Sequence, residues 1–230
     1  PRVVLLHGLG RSERAMRRLA HRFEEAGFIS TSIGYDSTSH SLDEIVREVD
    51  GGLRECCPDA ARLHFVTHSL GGIVLRAWVV REGPDRVGRV VMLSPPNRGS
   101  EWVDRLGSLA FLLGPTGSRL GTDAGSTPHQ LNELGPVSFE LGVIAGDSNF
   151  NLLGSWVLEG PDDGTVSVES TRLDGMRDFL VLPVSHSFMM YDPEVARQAI
   201  HFIETGAFAA PEAIRAQPVR AGGRTDVAGR

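Results

Sequence analysis

Ser69 is the side chain in this sequence best placed to do chemistry. It lies in Arg62–Val74, RLHFVTHSLGGIV, where an apolar run (Leu63, Phe65, Val66) stops at Thr67-His68-Ser69-Leu70-Gly71-Gly72. A helix with an apolar face (Ile73, Val74, Ala77, Trp78) follows at once. So sharp a strand-to-helix turn pushes a serine hydroxyl clear of the sheet edge, and small neighbours let the backbone pass close to itself. The helix start also aims unpaired N–H groups at any anion formed there. The pattern is usually G-x-S-x-G, and here Thr67 stands in place of its first glycine. The competing reading is an ordinary serine N-cap, so companions must decide.

A serine hydroxyl is a weak nucleophile; it needs a base, and the base needs an orienting carboxylate. Where the order nucleophile, acid, base holds, the base is His129, His186 or His201. His201 falls inside a helical pattern and His129 in a loose connection after Pro128. His186 directly follows the apolar run Phe179–Val184 and precedes the last helix, so it is the expected base. The acid candidates are Asp147, Asp162 and Asp163. Asp147 has the position of a turn-capping aspartate. Asp163-Gly164-Thr165-Val166 offers a carboxylate on a glycine turn, and Asp163 is preferred over Asp162. The oxyanion formed during attack needs N–H donors. Leu70 N–H follows the nucleophile, and Leu9 N–H lies in His7-Gly8-Leu9-Gly10, where Gly8 lets the loop bend inward. His7 precedes Ser69 and is read as structural. His68 is read as a pocket wall or packing residue, with Asn97 and Arg98 bordering the acyl pocket.

The elements that must position these groups alternate along the chain. Apolar runs at Val3–Leu6, Phe28–Tyr35, Leu63–Val66, Val87–Leu93, Phe139–Ala145 and Phe179–Val184 read as strands. Between them, helical spacing appears at Met16, Leu19, Ala20 and Phe23, and at Leu42, Ile45, Val46, Val49 and Leu53. Asp192-Pro193 opens the last helix, which runs to Gly206. Strand-helix alternation predicts an α/β fold, a mostly parallel six-stranded sheet with helices on both faces. Ligands bind such sheets at the strands' carboxyl ends, where Ser69 stands. One domain is expected over 1–210, with a flexible tail over 211–230. The long connection 101–135 is expected to hold a helix through Trp102, Leu106 and Phe111.

A chain of 230 residues, 41% hydrophobic, can bury a full core. Net charge −6, with no basic run that would track phosphates, argues against nucleic acid. No apolar run reaches membrane-spanning length, and no signal peptide opens the sequence. It begins at Pro1 without methionine, which leaves room for an upstream segment. Cys56 and Cys57 are adjacent, where a disulfide is strained, so both are expected as free thiols; that mildly favours a reducing, cytoplasmic setting. No metal site and no cofactor are expected.

Five segments in order, HGLG, THSLGG, SPPNRGS, DDGTVSVEST and PVSH, resemble the α/β-hydrolase superfamily, most closely its small bacterial lipases and esterases with little or no lid. The resemblance spans nearly the whole chain and starts at that fold's third strand. It implies hydrolysis of carboxylic esters, small-molecule or lipid, through an acyl-enzyme carried by Ser69, Asp163 and His186. A monomer is expected. Three other readings share these residues: a hydrolase of thioesters, amides or polyesters; a lipase with an apolar mouth from Leu106 to Leu113 and Trp156; and a hydrolase-fold binding protein without turnover.

Overall fold

The computed structural model describes residues 1–98, 134–149 and 160–210. Its six strands are β1 (Arg2–Leu6), β2 (Ile29–Ile33), β3 (Leu63–His68), β4 (Val87–Leu93), β5 (Leu141–Gly146) and β6 (Asp178–Leu182). They pair in the order β2-β1-β3-β4-β5-β6, every pair parallel. The helices are α1 (Arg17–Glu25), α2 (Leu42–Cys56), α3 (Leu70–Glu82) and α4 (Pro193–Thr205).

Alternate residues of each central strand serve opposite faces. Val4 and Leu6 of β1, Phe65 of β3 and Val90 and Met92 of β4 pack against α2 and α3 through Ile45, Val49, Ile73, Val74 and Trp78. Val3, Leu5, Val66, Val91 and Leu93 pack against α1 and α4 through Leu19, Phe23, Val195, Ala199 and Phe202. Both faces are therefore covered, as parallel strands with few polar residues require. Trp78, Phe65 and Phe23 are among the largest fully buried side chains; truncating any of them to alanine would cost about 3–5 kcal/mol.

Local signals set the helix ends. Ser41 and Glu44 form a reciprocal capping box on α2. Asp192 accepts from Glu194 and Val195 N–H at the start of α4, with Pro193 in its first turn and Gly206 left-handed at its end. The sheet order reverses between β1 and β3, because β2 lies outside β1 on one side while β3 and the later strands continue on the other. The loops leaving β1 and β3 thus face each other across a topological switch point, where α/β sheets bind ligands.

One expectation fails. Cys56 and Cys57 are not free thiols but are joined to each other in a disulfide. Cys56 ends α2, and Cys57 leaves the helix at φ −143°, ψ 47°. That departure lets neighbouring side chains meet, which a continued helix would not allow. A disulfide at this position no longer favours a reducing compartment. Among the described residues no helix is long and apolar enough to cross a membrane. The expected helix near 101–113, the apolar mouth with Trp156, His129 and the 211–230 tail lie outside the described residues.

Candidate active site

Ser69 follows the last residue of β3 and precedes the first of α3, at φ 52°, ψ −122°. Ser69 and Ser94 are the two non-glycine residues with positive φ among those described. Such backbone is strained by about 1–3 kcal/mol and persists only where its surroundings hold it. Here the hold is close packing. A methyl on Gly71 would sit 2.7 Å from Leu6 O and 2.9 Å from His7 O, and one on Gly8 would sit 2.9 Å from His68 Nδ1 and 3.1 Å from Ser69 Cβ. Both glycines are therefore required for the β1 loop and the elbow to touch. A Cβ on Gly72 would press on Pro95 Cβ at 3.0 Å and Met92 Sδ at 3.2 Å, and Thr67 packs beside it in ordinary contact.

Ser69 makes no capping bond to its helix. Its Oγ lies 3.0 Å from His186 Nε2 instead, which rules out the ordinary N-cap. His186 Nδ1 donates to Asp163 Oδ2 at 2.8 Å, and His186 N–H donates to Asp163 O at 3.0 Å. The carboxylate accepts only, so Nδ1 carries the proton and Nε2 is left to accept from the serine. Asp163 Oδ1 accepts from Thr165 N–H at 3.0 Å and Val166 N–H at 2.9 Å. Burial pushes the Asp163 carboxyl up, but the His186 ring, the Ser94 hydroxyl and Val166 N–H outweigh it and hold the group below the ordinary carboxylate value.

The other candidates fall elsewhere. Asp162 Oδ1 accepts from Gly164 N–H and Asn149 Nδ2, both at 2.7 Å, so it shapes the turn. Asp147 is exposed at the end of β5. His201, on α4, bonds Ala207 O. His7 is structural: its Nδ1 donates to Gly8 O, its Nε2 accepts from Tyr35 N–H, and its ring stacks on Tyr35 at 4.0 Å. The Tyr35 hydroxyl donates to His7 O, which pins the loop carrying Leu9. Leu70 opens α3, so its N–H is among those without an intrahelical acceptor. Asn97 bonds Thr171 O and Arg76, and Arg98 pairs with Glu169. Both line a cleft of about 210 Å³ with Arg76, Arg172 and Asp174, and none of Ser69, Asp163 or His186 lines it.

Two residues around the site, Ser94 and Gly146, carry little signal in the sequence, and His68 does more than wall a pocket. Ser94, after β4, is fully buried; its Oγ accepts from Gly146 N–H at 3.2 Å and donates to Asp163. A methyl on Gly146 would overlap Val184 O and come 2.9 Å from Asp163 Cβ, so only glycine lets the loops bearing Asp163 and Val184 meet. His68 Nε2 donates to His186 O at 3.0 Å, with ring centroids 4.8 Å apart. It therefore ties His186 to the elbow strand. The signals for the first two were faint: a serine at one strand end and a glycine at another. For Ser94→Ala the expected result is a kcat lower by about tenfold with KM unchanged, since one charge-assisted bond to Asp163 is lost. Steady-state kinetics beside a thermal melt would separate this from simple destabilisation.

Burial, then the neighbouring His186, holds His68 well below the ordinary value of 6.5. Burial acts first in lowering His7 and His64 too. Below pH 6.5 these imidazoles take up protons in the unfolded chain before they do so in the folded one. Stability is therefore full above that pH and falls as pH drops from 6.5 toward the folded values. Urea unfolding at pH 7 and pH 5 should show a lower midpoint at pH 5, and His68→Gln should make the decline shallower. Equal midpoints would contradict this.

Comparisons with known proteins agree with this architecture. A search of curated proteins finds no match. Among solved structures, the mature lipase BlEst2 of Bacillus licheniformis superposes with a TM-score of 0.68 at 20% identity, over 83% of this chain and 86% of that one. The phospholipase PlaB of Legionella pneumophila gives 0.70 at 19%, over 89% of this chain but only 59% of its own length. The metagenomic carboxyl esterase MGS0156 gives 0.65 at 16%, over 80% and 64%. At such identities the likeness is one of fold, the α/β-hydrolase fold. The model of the palmitoyl protein thioesterase family matches residues 2–127, from β1 past the Ser69 elbow. The chain belongs to the palmitoyl protein thioesterase family and has the α/β-hydrolase fold.

Proposed function

We propose that this chain is a serine hydrolase of carboxylic esters that works through an acyl-enzyme on Ser69. The observation that carries the reading is the unbroken chain of bonds from Ser69 Oγ through His186 to Asp163. In the first half-reaction His186 Nε2 takes the serine proton as Oγ attacks the ester carbonyl. Asp163 holds the imidazole in the required tautomer and stabilises its cation. Leu9 and Leu70 N–H groups receive the tetrahedral oxyanion, His186 protonates the departing alkoxide, and water repeats the cycle to release the acid.

A second reading is favoured by the family match: the same machinery cleaving a thioester. A thiol has a pKa of about 8.5, so its thiolate departs with less help from the acid than an alkoxide requires. The test pairs p-nitrophenyl butyrate with the butyryl thioester of N-acetylcysteamine, using wild type and Ser69→Ala. Turnover of the ester that vanishes in the variant supports the first reading. A kcat/KM at least tenfold higher on the thioester favours the second. No turnover of either substrate would sink both and leave a binding protein built on a hydrolase fold.

A further inference from the structure

The whole chain carries a net charge of −6, yet residues 11–22 run against it. Arg11, Arg14, Arg17, Arg18 and Arg22 are all exposed, and Glu13 is the one carboxylate within that stretch. The helical period forces this arrangement, because Met16, Leu19, Ala20 and Phe23 occupy the inward stripe. Arg14 lies 4.0 Å from Glu13, and Arg22 lies 3.5 Å from Glu25. Arg11, Arg17 and Arg18 have no carboxylate within 4.0 Å among the described residues.

The arginines adjoin the candidate site. Arg11 follows the Gly8-Leu9 loop that touches Ser69. Gly10, Arg11 and Arg14 share a surface hollow with Tyr191, and Arg18 and Arg22 share the next one with Tyr191, Asp192 and Glu25. Tyr191 ends the short turn Met189–Tyr191 that follows Phe188, two residues beyond His186. Phe188 is 67% exposed, the most exposed large apolar side chain among the described residues.

We propose that this face docks on an anionic lipid surface and brings acyl groups held there to Ser69. Guanidinium groups pair with phosphate oxygens in a fork geometry, and juxtaposed basic residues gain additively near a negative bilayer. An exposed aromatic, three residues before the Tyr191 that shares both hollows, suits headgroup depth. The acidic remainder of the molecule is repelled by the same surface, so docking orients the arginine face inward. Nucleic acid offers phosphate as well, but it gives Phe188 no apolar layer to enter. What is delivered rests on the hydrolase reading; the docking itself does not need turnover.

The test is sedimentation of the full chain with phosphatidylcholine vesicles, with and without phosphatidylglycerol, for wild type, Ser69→Ala and Arg14→Gln/Arg18→Gln/Arg22→Gln. Wild type and Ser69→Ala should bind the anionic vesicles at least tenfold more tightly than the neutral ones, and added salt should weaken that binding. The triple variant should lose about tenfold or more, with its melting temperature and p-nitrophenyl butyrate turnover unchanged. Equal affinity for both vesicle types, an unaffected triple variant, or binding to a DNA duplex but not to vesicles would overturn the proposal. A wild type that binds vesicles but hydrolyses nothing would sink the catalytic reading and leave the docking face standing.

Discussion

Replacing Ser69 by alanine should lower kcat on p-nitrophenyl butyrate by about 10⁴–10⁶, the loss expected when a triad loses its nucleophile. The substitution removes one oxygen from a site whose packing is otherwise kept. Ser69 contributes no cap to α3, so no helix-stabilising bond is lost with the hydroxyl. The variant should therefore melt near the wild-type temperature. A residual rate within tenfold of wild type would mean that another group attacks the substrate.

Asp163→Asn should lower kcat by about 10³–10⁴. The amide can still accept from Thr165 and Val166 N–H, so the turn survives. Facing His186 Nδ1, however, the side chain either presents its NH₂ group or leaves the imidazolium without a countercharge. The imidazole then turns the wrong nitrogen toward Ser69 or loses its stabilisation. Asp162→Asn is the internal control. Its Oδ1 bonds to Gly164 and Asn149 can be kept by an asparagine, and it makes no bond to His186. Its kcat should stay within about tenfold of wild type, as expected for a residue with no bond to His186. Comparable losses from both substitutions would contradict the assignment of the acid.

Those paired aspartates mark how far the sequence could be read. The strands were legible because a parallel sheet covered on both faces needs unbroken apolar runs, and Val3–Leu6 and Val90–Leu93 supply them. Ser69 was legible because the elbow is a local device. Its small residues, Gly71 and Gly72, follow Ser69 after Leu70. The contact between His186 and Asp163 was legible because His186 directly follows the β6 run and Asp163 sits on a glycine turn ahead of it. Ser94 was not, because its bonds to Gly146 and Asp163 join residues 52 and 69 positions away (146 − 94 and 163 − 94). A serine before two prolines reads as a loop. Gly146 was missed likewise, since the need for glycine arises only once the loops bearing Asp163 and Val184 converge. The cysteine pair misled because the strain of a disulfide between neighbours was weighed without the backbone turn at Cys57 that accommodates it.

The central claim is that Ser69 is an activated nucleophile, and the direct measurement is covalent capture. The protein would be incubated with an alkyl fluorophosphonate, digested, and its peptides weighed by mass spectrometry. Capture should give one adduct, on the peptide containing Ser69, absent from Ser69→Ala and formed at least about a hundredfold more slowly in Asp163→Asn. An adduct on a different residue, or none on the folded wild type, would contradict it.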